Sequence, residues 1–494
     1  MRRTRLIYYN LAISAITLVL IVLMELRDVY EFMLIYSLNS VLVFGMLVRE
    51  ELLKFRGLNL NLLFLVGSFM RFVLPSVTHA WGALNGESYS FVRPVNDYTD
   101  YMFPTVVWMN IYYSIFYWCF LRFDMGYTIE NAIKPFLMRI KLSQFTLPVF
   151  IIGILYKIVA SNFPVGFIPG FISNVLGQLA TLAILAQLFE SIFKPTRFNR
   201  ILFYIFIFVS MWETLVFGFY KGAVMMNFIY FMLYYFLNRK YYNQPVVTPR
   251  FIIGIVGVLM FFNMIIYPFM TLKRIEAGWD VTAGGIVTRD YSNVDVLMEV
   301  LSGKEQKEKD DHTAADRLDA IGPNAYFYKE CCQRGLRTTK LLVSNLELLV
   351  PRFLYPEKHD SEAGLMVYAY ATTGRFENYS SAISNNYVGQ FASAYLIGGG
   401  IMVIFLAFLN GWFTMFYYNF LVKRVDNFFS IILLVSLVLS TILAYEEIHD
   451  GGALRIGYNC VMMIVVWILT NFFPGFLSFK GAKSKRSRSN RFNL

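Results

Sequence analysis

Charge is scarce in this sequence. Of 494 residues, 16% are Asp, Glu, Lys or Arg, while 57% are hydrophobic and the mean hydropathy is +0.51. A chain so poor in charge is far from the composition of a soluble domain. Cysteine is scarcer still: there are four, with Cys119 and Cys460 in apolar runs and Cys331 beside Cys332. Adjacent cysteines meet disulfide geometry poorly and no CxxC occurs, so a disulfide framework, a redox motif and a metal cluster all lack support. GxxxxGK[ST], HExxH and GxSxG are missing too, which leaves ATP hydrolysis, zinc proteolysis and serine-triad chemistry without a motif. Any driving energy must come from a substrate or a gradient.

What the chain has instead is a series of apolar runs, each long enough to cross a hydrocarbon core of roughly 30 Å. Runs this continuous are helices rather than barrel strands. The sequence predicts an all-α, polytopic membrane protein of about 12 transmembrane helices, at 7–25, 29–48, 59–79, 101–121, 145–160, 168–193, 200–218, 221–238, 251–270, 393–421, 427–444 and 456–476. The first run follows MRRTR without a small-residue cleavage site and reads as a retained anchor.

Twelve spans put the N-terminus, 49–56, 122–141, 193–200, 239–250, 422–424 and the tail 480–491 on one side, with 24 of the 44 basic residues. By the positive-inside rule that side, with both termini, is cytoplasmic. The net charge of +11 is therefore mainly a topology signal. Basic tails next to a membrane also meet anionic lipid headgroups, so membrane lipids are the expected partners and nucleic acid is not. Four regions follow: helices 1–9 in 1–270, a large extracytoplasmic loop at 271–392, helices 10–12 in 393–476, and a basic cytoplasmic tail at 477–494. The loop holds 17 of the 33 acids and 14 basic residues. Within it, 317–349 reads as two short amphipathic helices. Pro351 and Pro356 then hold Arg352 on extended backbone.

Charged residues inside spans are costly and are site candidates on that ground. Arg71 and His79 fall in the outer half of the third span and Glu213 in the seventh, while Lys157, Lys221 and Arg455 lie toward outer helix ends. The cations together suit an anion held at the outer leaflet. The plainer reading pairs Arg71 with Glu213 and lets Lys157, Lys221 and Arg455 snorkel to headgroups. In the loop, Arg289, Arg317, Arg352, Lys358 and Arg375 stand outside the obvious charge run 302–316. Guanidinium groups bind phosphate oxygens bidentately and keep their charge, which suits a diphosphate. His359 and the carboxylates Glu357, Asp360, Glu362 and Glu377 are the general-base candidates.

Three stretches carry a resemblance: FGFYKGAVMMNFIYFMLYYF (217–236), VPRFLYPEKHDSEAG (350–364) and SNNYVGQFASAYLIGGGIM (384–402). With the topology, they make the chain similar to the bacterial oligosaccharide repeat-unit polymerases, the Wzy-type O-antigen, exopolysaccharide and capsule polymerases. Here Glu357 comes before Lys358, and His359 stands where that family commonly has proline. The resemblance implies a cytoplasmic (inner) membrane enzyme that moves a growing glycan from its polyprenyl-diphosphate carrier to a lipid-linked repeat unit on the outer face. It implies no cofactor and no metal, and a polysaccharide chain-length regulator as partner. It points to Arg352, Arg289 and Arg317 as catalytic and to Lys221 and Lys358 as substrate-binding; His359 joins the catalytic candidates as a base, and Arg375, Arg71 and Arg455 join the binding candidates from their positions alone. An O-antigen ligase shares the architecture and donor. A flippase for the same lipid-linked sugars is the reading from another class, although alternating access does not require so large a loop.

Overall fold

The computed structural model describes residues 2–54, 59–87, 98–129, 142–162, 170–213, 221–245, 321–335, 390–424 and 453–472, with isolated positions at 248, 254, 257, 261, 430, 433, 434, 437 and 438. Among the described residues there are helices and connecting turns and no strand. The helices are α1 (Arg2–Leu23), α2 (Tyr30–Leu53), α3 (Leu60–Leu84), α4 (Thr99–Phe123), α5 (Leu142–Asn162), α6 (Gly170–Phe193), α7 (Arg197–Glu213), α8 (Lys221–Tyr241), α9 (Ile321–Arg334), α10 (Gln390–Val422) and α11 (Ala453–Phe472). Arg2–Met24, Tyr30–Leu53, Leu60–Leu84 and Phe391–Val422 are long and apolar enough to cross a bilayer, and Thr146–Val159, Leu179–Phe193 and Asn459–Ile468 are shorter apolar helices. This is an all-helical membrane protein over its described length. The expected segments 251–270 and 427–444 lie outside the described residues apart from isolated positions. The other expected segments fall on helices.

Helix α4 is the axis of one group. It packs against α1, α2, α3, α9 and α10 and is buried nearly all round, from Met102 and Phe103 to Tyr117 and Phe120. A helix that is apolar on every face belongs in an interior, and only polar groups that find partners can share it. Those partners come from its neighbours. Asn110 donates to the Tyr36 hydroxyl at 2.7 Å and to Ser40 at 3.0 Å. Asn10 donates to Asn110 and to Ser114, both at 2.8 Å, and Ser14 meets Tyr36 at 2.7 Å. This buried cluster joins α1, α2 and α4, as polar side chains commonly do between helices in a membrane. A second group packs α5 on α6, with α7 and α8 beside them.

The helix ends sort by charge. Arg3 reaches Glu51, which also accepts from Tyr117 at 2.7 Å, and Arg2 pairs with Glu50 at 3.3 Å. Asn61 donates to Asp124 at 2.8 Å, Lys240 to the Leu52 carbonyl at 3.1 Å, and Asn419 to the Phe123 carbonyl at 3.0 Å. The start of α1 and the ends of α2, α4, α8 and α10 therefore meet at one basic end. The far end is where α4 and α10 begin.

One expected boundary is corrected. The third segment, expected to stop at 79, continues as helix to Leu84: Ala80, Ala83 and Leu84 favour the helix, it carries through Gly82, and Asn85 and Gly86 end it. Gly86 sits at φ +83, its N–H bonds Ala83 at 3.0 Å and the Glu87 N–H bonds Gly82 at 3.0 Å, a Schellman closure that a side chain at Gly86 would strain. The first short helix expected in 317–349 is α9, closed by Gly335 at φ +63; the second lies outside the described residues.

Candidate functional site

Helix α9 belongs to the hydrophilic segment 271–392, yet it is buried against the bundle. It packs on α4 and α10 at the far end. Ile321, Ala325, Tyr326, Phe327, Tyr328 and Cys331 are all buried, and because four of them are consecutive the helix is covered nearly all round. Asn324, 2% exposed, accepts the Ala392 N–H at 3.2 Å and so caps the first turn of α10 from another element. Tyr328 stands at the centre of an aromatic row, with ring centroids 4.7 Å from Tyr395, 6.0 Å from Phe391 and 6.3 Å from Tyr101. Tyr395 leads on to Trp108 at 6.2 Å.

Helix α9 also carries two buried charges in succession, Lys329 and Glu330, 8% and 2% exposed. Glu330 lies 2.8 Å from the Arg334 guanidinium one turn on. Burial pushes the Glu330 carboxyl above its ordinary value, and Arg334 and Lys329 only partly oppose this. The Tyr328 hydroxyl is raised as well, by burial first and then by Cys332 and Tyr395, so it stays protonated at any physiological pH. Exposed Cys332 places its thiol 3.9 Å from the Tyr395 hydroxyl. At the rim, Tyr30 donates to exposed Asp100 at 2.9 Å and the Arg27 guanidinium lies 5.8 Å from the Tyr101 ring centre. The far end thus brings together carboxylates, cations, an amide and hydroxyl groups with buried and half-buried rings.

Beneath this platform α10 is interrupted. Gly398 (φ −162, ψ 26) and Gly399 (φ 68, ψ −156) leave helical geometry, and the helix resumes at Gly400.

Arg71 has a described side chain among the expected site residues. It is 7% exposed, midway along α3, inside a π-helical turn over Phe69–Val73 in which the Leu74 N–H bonds the Phe69 carbonyl. Pro75 explains the turn. It has no N–H to return to the Arg71 carbonyl, so the ladder widens there. His79, 8% exposed, follows on the same helix. Glu213, offered by the sequence as a partner for Arg71, instead meets Lys157 at 4.0 Å, because α5 and α7 are neighbours in the second group. Lys221 opens α8 and Arg455 falls in the first turn of α11, but their side chains lie outside the described residues. Arg289, Arg317, Arg352, Lys358, His359 and Arg375 also lie outside the described residues.

Sequence reasoning passed over Asn324, Tyr328, Glu330 and Tyr395. Only the triple glycine 398–400 inside an apolar run signalled anything unusual near them. Among the described residues, no group of three or more His, Cys, Asp and Glu could hold a metal ion. No family model matches the chain, and no curated protein and no solved structure matches it either.

Proposed function

We propose that this protein is a polysaccharide polymerase of the cytoplasmic membrane, transferring a growing glycan from its polyprenyl-diphosphate carrier to a lipid-linked repeat unit at the outer face. Twelve spans, cytoplasmic termini and an extracytoplasmic far end complete the reading. The observation that carries it is the position of α9: part of the one long hydrophilic segment is seated on the membrane helices at the end opposite the basic one. The positive-inside rule makes that far end extracytoplasmic. A lipid-linked donor holds its diphosphate at that same level of the membrane.

The chemistry asked of the protein is modest, since the donor is already activated. The acceptor sugar hydroxyl attacks the anomeric carbon of the donor glycan, the bond from that carbon to the diphosphate oxygen breaks, and the polyprenyl diphosphate leaves with the electron pair. A base takes the hydroxyl proton. His359 is the candidate for that role, and Arg352, Arg289 and Arg317, with Lys221, Lys358, Arg375, Arg71 and Arg455, are candidates to hold the diphosphate and stabilise its developing charge. A chain-length regulator is the partner this reading expects.

The experiment is complementation of a host lacking its own repeat-unit polymerase, with surface glycan length read on a gel. Wild type is expected to give a ladder of many repeats, and Arg352→Ala, at equal membrane abundance, one repeat or none. A normal ladder from Arg352→Ala removes Arg352 from the site. If wild type gives no ladder in its native genetic background, a ligase or flippase replaces the polymerase reading.

A further inference from the structure

The two halves of α10 belong to different bodies. From Gly400 onward the helix is fixed to α4: a Cβ on Gly400 would stand 2.4 Å from the Trp108 ring, and one on Gly411 would stand 2.8 Å from the Phe116 carbonyl. Asn410 donates to the Tyr112 hydroxyl at 3.1 Å and Asn419 to the Phe123 carbonyl at 3.0 Å. Before the break, residues 390–397 are tied to α9 by Asn324 at Ala392, by Tyr328 against Phe391 and Tyr395, and by Cys332 at Tyr395. What joins the halves is Gly398–Gly399, and the φ/ψ of Gly399 lies in a region open essentially to glycine alone.

The contacts that would separate in a swing of the outer body include two ring contacts on α4, Tyr328 against Tyr101 and Tyr395 against Trp108. Tyr328 meets Tyr101 of α4 ring edge to ring, without a hydrogen bond between them. Gly398 is exposed, and Ile401 one turn on is 81% exposed, so the break opens on the surface that lipid would cover. A substrate with a polyprenyl tail cannot leave the bilayer, and its diphosphate must approach the far end from the side.

We infer that Gly398–Gly399 is a pivot on which α9 and the outer half of α10 swing together as a lid, opening a sideways passage along α4 for a lipid-linked substrate. The use of the passage rests on the polymerase reading; the swing does not. Hinges of this kind take up their change in a few residues at an element's end, while the packed bodies on either side stay rigid.

The test places spin labels at exposed Gln333, on α9, and exposed Asn85, at the end of α3, in otherwise cysteine-free protein in lipid nanodiscs. Their distance distribution is measured by pulsed electron resonance in the wild-type background and with Gly399→Ala. The expected result is a distribution spread over several ångströms in wild type that narrows in Gly399→Ala. Equal distributions in the two overturn the pivot, whatever the glycan ladder shows. Because Gly399→Ala could fold poorly, a cross-link tests the same motion on the wild-type pivot. Tyr101→Cys with Tyr328→Cys, in a chain lacking its native cysteines, is joined across lid and α4 by a reducible bifunctional thiol reagent that spans the space of the two rings; Tyr9→Cys with Asn39→Cys, across α1 and α2 in the same background, takes the same reagent as the control. The first cross-link is expected to reduce the ladder at least tenfold, reversibly on reduction, and the second to change it less than twofold. A normal ladder with the first bridge formed overturns the gate. A mobile lid in a wild type that makes no ladder sinks the polymerase reading and leaves the pivot standing.

Discussion

Asn324 of α9 accepts the backbone N–H of Ala392 in the first turn of α10, at 3.2 Å, with the asparagine 2% exposed. A helix start needs such an acceptor, and here it comes from a residue distant in sequence, so the cap also docks α9. Asn324→Ala removes it at a cost of about 1 kcal/mol. Amide hydrogen exchange across 321–334 and 390–397 is expected to speed up in both segments together. Faster exchange in only one of the two segments contradicts the shared cap.

Glu330 makes the docking of α9 sensitive to pH. Its carboxyl is raised by burial, so the docked state holds its proton more tightly than the undocked chain does. Stability then falls as pH rises from the ordinary carboxyl range through the raised value. Glu330→Gln is expected to flatten that fall, because Arg334, whose side chain is 46% exposed, stays hydrated without its partner. Hydrogen exchange of 321–334 against pH reads this. A wild-type profile as flat as that of the glutamine variant refutes it.

At the basic end, Glu51 is 4% exposed and accepts from both Arg3 and Tyr117. Removing one partner of a buried pair leaves the other uncompensated, which costs about 3 kcal/mol. Glu51→Ala is expected to lower the thermal midpoint in detergent clearly more than Tyr117→Phe, which loses one hydrogen bond worth about 1 kcal/mol. The double variant should fall short of the sum, since both changes act on one cluster. Strict additivity would show that Glu51 and Tyr117 act separately.

Much of this fold is legible because a bilayer enforces two crude signals, long apolar runs and cations gathered at one set of helix ends. The runs at 7–25, 29–48 and 101–121 fall on α1, α2 and α4, and the basic residues Arg3 and Lys240 do meet one end of the bundle. What stayed hidden depends on neighbours rather than on local pattern. Lys157 takes Glu213 because α5 lies beside α7, a tertiary fact that no spacing encodes. AWGAL is helical although its turn-rich surroundings read as loop, since the closing signal at Asn85–Gly86 comes only afterwards. The break in α10 sits in LIGGGIM, where the apolar run continues on both sides of the interruption and only the glycines betray it. Glu330 looked like one charge among many until its burial set it apart.

Arg71 separates a binding role from a structural one. The π-helical turn over Phe69–Val73 sets its guanidinium in the bundle interior, and buried Phe72 next to it packs on Phe44 and Tyr113. Aromatic packing therefore holds the turn whatever residue stands at 71. Arg71→Lys keeps the charge and much of the length but loses the planar fork that can grip two phosphate oxygens at once. If Arg71 holds the donor diphosphate, the lysine variant reaches wild-type membrane abundance and thermal midpoint while long-chain glycan drops about tenfold, the effect of roughly 1.4 kcal/mol at the transition state. Arg71→Gln, without the charge, should fall further in glycan at the same abundance. A structural arginine gives the opposite pattern: abundance and thermal midpoint fall with each substitution, and the glycan made per folded molecule is unchanged.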